Sequence, residues 1–144
     1  MKYEKLNVND FAQFIELEQK YKISIGEPKL TDSQICNLKN AICENEIEFF
    51  VAKTQDEIIA ICSVSPVFST FSCQMSGIFE DFYVVDEHRG KGVARGLTSY
   101  VFDVLKSRDF SSLWIGCADM DIEMYKSLGF TIPLGNLLTW NAGE

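Results

Sequence analysis

Residues 74–117 combine a strand, a glycine-containing turn, a helix and a second strand, and this succession constrains the fold more than any other part of the chain. Residues 74–85 are rich in β-branched and aromatic side chains, which favours a strand. A polar turn at 86–91 follows, and the helix predicted over 92–106 carries apolar residues at intervals of about four. Residues 112–117 then predict a buried strand. When a helix joins two parallel strands of the same sheet, the crossover is almost always right-handed. We expect such a parallel pair and a right-handed crossover here.

The remaining elements are predicted from apolar periodicity and turn residues. Helices are expected at 10–21, 31–45 and 119–128, and strands at 3–6, 48–53, 58–64, 131–132 and 137–141. Residues 66–72 are predicted to form a loop, whose Phe68 and Phe71 either line a pocket or pack in the core. The order β-α-α-β-β-β-α-β-α-β-β indicates a mixed α/β fold. Because no linker, repeat or low-complexity tract interrupts it, we expect a single domain over residues 1–144.

The composition is typical of a globular protein, with 47% apolar and 24% charged residues among 144. A chain of this length buries roughly two-thirds of its unfolded surface, so it needs neither a metal nor a disulfide to fold. No apolar run approaches the ~18 residues of a membrane span. The start of the chain lacks the apolar core of a signal peptide. We therefore expect a cytoplasmic protein without a membrane partner.

The charge balance narrows the classes of partner. The chain has 13 Lys and Arg residues against 21 Asp and Glu residues, and its net charge is −8. This sign disfavours a protein that works by neutralising phosphates, so nucleic acid is not expected as a partner. A cationic substrate is compatible with the charge, and so is a simple contribution to solubility.

The cysteines and the single histidine indicate no metal site. The chain has five cysteines, an odd number, and no C-x-x-C pair, which is typical of reduced thiols. With His88 as the only histidine, a Cys/His zinc site is not expected. We expect His88 to have a packing or surface role, and Cys117 to be a buried small apolar side chain.

The turn before the long helix has the residues of an anion site. Gly90 and Gly92 allow a close approach of the backbone, and free N–H groups at a helix start bind phosphate. Arg89 and Lys91 add positive charge. An ordinary strand-to-helix turn explains the glycines equally well. The spacing is neither that of a P-loop nor that of a dinucleotide-binding G-x-G-x-x-G.

Two motifs resemble those of the GNAT superfamily of acetyl-CoA-dependent N-acetyltransferases. Arg-Gly-Lys-Gly-Val-Ala at 89–94 resembles the family's [Q/R]-x-x-G-x-[G/A] signature, and Tyr-Lys-Ser-Leu-Gly-Phe at 125–130 resembles its Y-x-x-x-G-F element. A predicted strand separates them, as in the family. The resemblance implies a GNAT-like fold, in which a central, mostly antiparallel sheet has a splayed parallel strand pair and helices on both faces.

The resemblance also implies acetyl-CoA as the co-substrate. Backbone groups at 82–84 would pair with the pantetheine arm like an added strand, and N–H groups at 90–95 would hold the pyrophosphate. The family commonly has an Asn on the pantetheine where this chain has Ala118, so Asp119 is expected to replace it. The expected cofactor-binding residues are Phe82, Tyr83, Val84, Arg89, Gly90, Lys91, Gly92, Val93, Ala94, Arg95 and Asp119.

Tyr125 and Glu80 are the expected catalytic residues. By resemblance, Tyr125 protonates the departing thiolate of coenzyme A, a role that suits a phenol, and its alternative role is packing. Glu80 either takes a proton from the attacking amine, directly or through water, or only binds the cation. Asp81 is expected on the opposite strand face because side chains alternate along a strand.

Residues 80–84, Glu-Asp-Phe-Tyr-Val, resemble the diamine (spermidine/spermine-type) branch of the family. The resemblance implies transfer of an acetyl group to a primary amine by direct attack in a ternary complex, with a polyamine as the expected acceptor. An aminoglycoside, an amino acid, a protein N-terminus and a non-catalytic acetyl-CoA-binding regulatory module remain as alternatives. The aromatic content is compatible with a homodimer.

Overall fold

A five-stranded sheet forms the centre of the computed structural model, which describes residues 1–143. Its strands, in spatial order, are β1 (Lys2–Lys5), β2 (Glu48–Thr54), β3 (Glu57–Ser69), β4 (Gln74–Val84) and β5 (Leu113–Trp114). The first four strands pair antiparallel, and β4 pairs parallel with β5. The predicted mixed sheet with one parallel pair across the long helix is confirmed.

Four helices accompany the sheet within residues 1–143. They are α1 (Phe11–Ser24), α2 (Asp32–Cys43), α3 (Val93–Ser107) and α4 (Ile122–Leu128). Single 3₁₀ turns at Val8–Asp10, Asp86–His88 and Asp119–Asp121 precede α1, the glycine turn and α4.

A capping box stabilises the start of α2. The side chain of Thr31 accepts a hydrogen bond from the Gln34 N–H, and the Gln34 side chain accepts one from the Thr31 N–H.

The two faces of the sheet carry separate cores, because side chains alternate along each strand. The core under α3 includes Phe50, Ala52, Phe79, Leu97 and Val101. The core under α1 and α2 includes Phe14, Leu17, Phe49, Val51 and Ile61. The expectation of helices on both faces is confirmed. The described part of the chain contains no helix that is long and apolar enough to cross a membrane.

The hairpin between β3 and β4 is longer than the sequence predicts. Residues 66–69 continue β3 and pair with β4 as far as Ser69 opposite Gln74, so the predicted loop shrinks to a short turn. Phe68 is 63% exposed and Phe71 is fully exposed. The expectation that these rings pack in the core is therefore wrong, and neither ring lines the cavity described below.

The end of the chain also differs from expectation. The strands predicted at 131–132 and 137–141 do not form, and residues 131–141 have no regular secondary structure. Five large apolar side chains in this segment are at least 72% exposed: Ile132, Leu134, Leu137, Leu138 and Trp140. A strand needs a partner edge, and β5, predicted over 112–117, contains only two residues. Cys117, after it, is exposed and not buried as expected.

Candidate active site

A bulge in β4 places two consecutive carboxylates on one cavity. Ser63 of β3 lies opposite Glu80, and Ile61 lies opposite Tyr83, so one residue of β3 faces two of β4. Asp81 occupies the bulge with a φ of 53°. The expectation that Asp81 faces away from Glu80 is therefore wrong, because the bulge interrupts the alternation on which it depends.

The cavity has a volume of about 390 Å³ and lies between α1, the loop that leads to α2, and β4. Its charged lining residues are Lys22, Glu27, Glu80 and Asp81. Three carboxylates against one ammonium give the lining an excess of negative charge. A cavity with this lining attracts cations.

A third carboxyl group from α1 lies next to Asp81. The side chain of Glu18 is 1% exposed, and among residues 1–143 no group donates a hydrogen bond to either of its oxygens. Burial, with the negative charge of Asp81 added to it, raises the pKa of Glu18 to about 9, although the ammonium of Lys22 opposes the shift. Glu18 therefore retains its proton at neutral pH.

The Tyr21 phenol interacts electrostatically both with these carboxyl groups and with Tyr125, the expected acid. Its ring packs edge-on against Tyr83, with 6.5 Å between the centroids. Burial, followed by the charges of Asp81 and Glu18, raises the pKa of Tyr21, and the Tyr125 phenol and the Glu80 carboxylate contribute to the same shift. Its hydroxyl thus lies within electrostatic reach of all four groups.

Three of these residues, Glu18, Tyr21 and Lys22, were not expected at the site from the sequence. The available signal was the position of Glu18 on the apolar stripe of α1, one turn after the buried Phe14. A carboxylate on such a stripe needs a partner, and Lys22 is one turn further on.

Tyr125 lies on α4, and its half-buried ring packs between Phe82 and Phe130, at centroid distances of 6.3 and 6.0 Å. Burial, with smaller contributions from Asp121 and Cys117, raises the pKa of Tyr125 to about 12. Its phenol consequently keeps its proton at neutral pH and is able to donate it. The structure brings Tyr125 and Phe82, two of the predicted site residues, into contact.

The glycine turn has an open face. Gly90 and Gly92 have φ values of 73° and 82°, and an added Cβ would meet nothing within 4 Å at either position. The glycines are thus required by the backbone conformation and not by lack of space. Arg89 fixes the turn to β4, since its Nε donates to the Val84 carbonyl at 2.8 Å and its guanidinium lies 3.1 Å from Asp86.

The N-terminus of α3 directs free N–H groups at this open face. Gly92 has no side chain to cap the helix, and the first helical bond joins the Gly96 N–H to the Gly92 carbonyl at 3.0 Å. The N–H groups of Val93, Ala94 and Arg95 therefore have no acceptor within the helix. Together with the helix dipole they favour an anion. Lys91 is exposed beside them.

The second half of β4 has an open edge. Its ladder with β5 contains only Gly77 with Leu113 and Ile78 with Trp114, so within the described chain residues 82–84 have no strand neighbour on that side. An extended ligand is able to add there as a further strand. Asp119 lies on the exposed 3₁₀ turn between β5 and α4.

The comparison with protein families settles the family. The acetyltransferase (GNAT) family model matches residues 11–130. The chain belongs to the GNAT family of acetyltransferases. A comparison with curated proteins finds no match.

Solved acetyltransferase structures share the fold with this chain at low identity. A glucosamine-6-phosphate N-acetyltransferase from Arabidopsis thaliana is 21% identical with a TM-score of 0.78, over 96% of this chain and 97% of that one. An aminoglycoside acetyltransferase from an uncultured soil metagenomic sample, solved with sisomicin, is 16% identical with a TM-score of 0.84, over 98% and 95%. A predicted acetyltransferase from Clostridium acetobutylicum, solved with acetyl-CoA, is 19% identical with a TM-score of 0.80, over 97% and 95%.

No metal site accompanies this arrangement in the part of the chain that the structure describes, since no three His, Cys, Asp or Glu side chains are grouped to hold an ion.

The buried Glu18 makes the stability of this GNAT protein depend on pH. Its pKa is raised from 4.5 to about 9, so the stability contributed by the protonated form is fully present below pH 4.5 and is lost as the pH rises towards 9. Glu18→Gln keeps the shape without the charge. We expect the variant to gain about 1 kcal/mol or more in the free energy of unfolding over the wild type above about pH 7, and little near pH 4.5.

Urea unfolding at several pH values measures this difference. Glu16→Gln, an exposed change on the same helix, is the control and should leave the pH profile unchanged. A wild type that becomes more stable than Glu18→Gln as the pH rises would contradict the assignment.

Proposed function

We propose that this GNAT protein, a single domain over residues 1–144, transfers an acetyl group from acetyl-CoA to a primary amine of a cationic small molecule by direct attack in a ternary complex. The observation that carries this proposal is the position of the acidic cavity. Glu80 and Asp81 line it, and the residues that directly follow them on β4 form the open edge beside Tyr125.

The residues present fit coenzyme A along its length. The backbone at 82–84 would bind the amides of the pantetheine arm, as the open edge of β4 permits. The N–H groups of the turn and of the first turn of α3, residues 90–95, would bind the pyrophosphate, with Lys91 adding charge. Asp119 takes the place of the family's Asn. When bound, acetyl-CoA supplies an activated acetyl thioester.

Proton movements are assigned to two side chains. The amine must lose a proton before its nitrogen bonds to the acetyl carbon, and Glu80 accepts that proton directly or through water. Glu80 lines the cavity where an amine arrives. As the carbon–sulfur bond breaks, Tyr125 donates its phenolic proton to the sulfur. The alternative for Glu80 is to bind the ammonium electrostatically while another group takes the proton.

A polyamine is the acceptor that we favour. The excess of carboxylates in the cavity suits several positive charges, and residues 80–84 resemble the diamine branch. An aminoglycoside carries the same kind of charge and is the second candidate, since a fold neighbour is an aminoglycoside acetyltransferase. A non-catalytic acetyl-CoA-binding module has no need of a protonated Tyr125 beside the open edge.

An amine panel tests the proposed activity. Release of free thiol from acetyl-CoA should be fastest with spermidine or an aminoglycoside, and slower with glucosamine 6-phosphate and with a neutral peptide N-terminus. Added salt should raise the acceptor KM because screening weakens the attraction of the cavity for a cation.

Two outcomes of this panel would contradict the proposal. If a neutral or anionic acceptor has the highest kcat/KM, the acceptor is not a cationic amine. If no amine causes thiol release, the protein is a non-catalytic acetyl-CoA-binding regulatory module.

Paired substitutions at Gly92 test the pyrophosphate site. Asn and Asp have the same shape and both tolerate a positive φ, so the difference between Gly92→Asn and Gly92→Asp isolates the charge. We expect Gly92→Asp to bind coenzyme A at least about tenfold more weakly than Gly92→Asn, because a carboxylate would face the pyrophosphate. Calorimetry measures both affinities, and equal values would place the pyrophosphate elsewhere.

Tyr125→Phe should keep coenzyme A binding and lose turnover. The change removes only the hydroxyl, so the ring contacts with Phe82 and Phe130 survive. Loss of a general acid lowers kcat by about 10²–10⁴-fold with little effect on ground-state affinity. Steady-state kinetics and calorimetry of the folded variant provide the two values. A kcat near that of the wild type would show that Tyr125 is not the general acid.

A further inference from the structure

The ammonium group of Lys22 lies between two carboxyl groups at the wall of the acceptor cavity. Its Nζ is 3.6 Å from Asp81 Oδ2 on β4 and 3.7 Å from Glu18 Oε1 on α1. The three side chains differ in access, since Glu18 is 1% exposed, Asp81 is 17% exposed and Lys22 is 24% exposed. A cation that reaches the carboxyl groups from the cavity must therefore compete with Lys22.

The fold orients Asp81 towards this position at a conformational cost. A φ of 53° is uncommon for a residue other than glycine, and such conformations persist where the surrounding structure enforces them, often at functional sites. The bulge turns the carboxylate from the sheet face towards α1, where Lys22 and Glu18 lie. A regular strand at this point would separate Asp81 from Glu80.

Lys22 interacts electrostatically with Asp81 and Glu18 but lies too far from both for a hydrogen bond. Distances of 3.6 and 3.7 Å are longer than the roughly 2.7–3.2 Å of an N–H···O hydrogen bond. No group in residues 1–143 donates a hydrogen bond to the Glu18 oxygens. A ligand ammonium that makes such bonds to the Asp81 carboxylate and to the carbonyl oxygen of the protonated Glu18 replaces contacts that Lys22 makes only at longer range. The flexible lysine stem lets its charge move to the solvent.

We propose that Glu18 and Asp81 form an ammonium-binding subsite, that Lys22 fills it in the free protein, and that an alkylammonium group of the acceptor displaces Lys22. The proposal rests on the proposed function in that the acceptor is a cationic amine. The other charged and titratable groups that face the subsite are Glu80 from β4 and the Tyr21 phenol from α1. Lys22 thereby selects against neutral acceptors, which cannot displace it.

Direct binding of 1,4-diaminobutane tests the proposal. Calorimetry on the full chain, saturated with coenzyme A so that no turnover occurs, compares three variants with the wild type. Lys22→Met removes the competing charge and should tighten binding about tenfold, whereas Asp81→Asn removes an attracting charge and should weaken it about tenfold. Asn tolerates the positive φ, so the bulge is kept. Lys20→Met, an exposed change on the same helix, should leave the affinity within about twofold.

Unchanged or weaker binding in Lys22→Met, or unchanged binding in Asp81→Asn, overturns the subsite. If Lys22→Met does not fold because it leaves two carboxyl groups unpaired, the comparison is made in the Glu18→Gln background. Lys22→Met must still tighten binding there. The thiol-release assay separates the two proposals. A wild type that acetylates no amine refutes the proposed function, while opposite shifts in diaminobutane affinity would still support the subsite.

Discussion

The parallel ladder between β4 and β5 stops after two residue pairs, and the open edge proposed for the cofactor depends on where it stops. Close packing holds the strands together at the ladder itself. A Cβ on Gly77 would lie 2.6 Å from Val64 and 3.0 Å from Leu113, and Ser76 is hydrogen-bonded to the serines that precede β5. Beyond Ile78 the strands separate, so the second half of β4 keeps β3 on one side and has an open edge on the other.

The bulge at Asp81 determines which way the side chains in this half of β4 face. One face of the strand carries Phe82 to the aromatic contacts with Tyr125, and the two carboxylates before it face α1 and the acceptor cavity. The open edge proposed for the cofactor and the cavity that attracts cations are thus adjacent on a single strand. The distance between the reacting groups is then governed by the conformation of a few consecutive residues.

Elements with long, regular patterns were predictable from the sequence. The apolar spacing of α3, the glycine turn and the motif around Tyr125 rely on local chemistry, and the structure confirms the elements that they predict. The bulge was not predictable, because alternation assumes an unbroken ladder and an Asp within a strand pattern is only a weak signal of a left-handed φ. Glu18 was missed because a glutamate in a helix is usually exposed, and its raised pKa depends in part on Asp81, 63 positions away in the chain.

The interaction of Arg89 with the Val84 carbonyl has a thermodynamic consequence. It ties the glycine turn to the end of β4, and Arg95 similarly donates to the Ser127 carbonyl at the end of α4. The backbone groups proposed for the pantetheine arm and for the pyrophosphate are therefore linked by hydrogen bonds before any ligand arrives. Little chain entropy remains to be lost on binding, so contacts along the cofactor contribute to affinity with only a small ordering penalty.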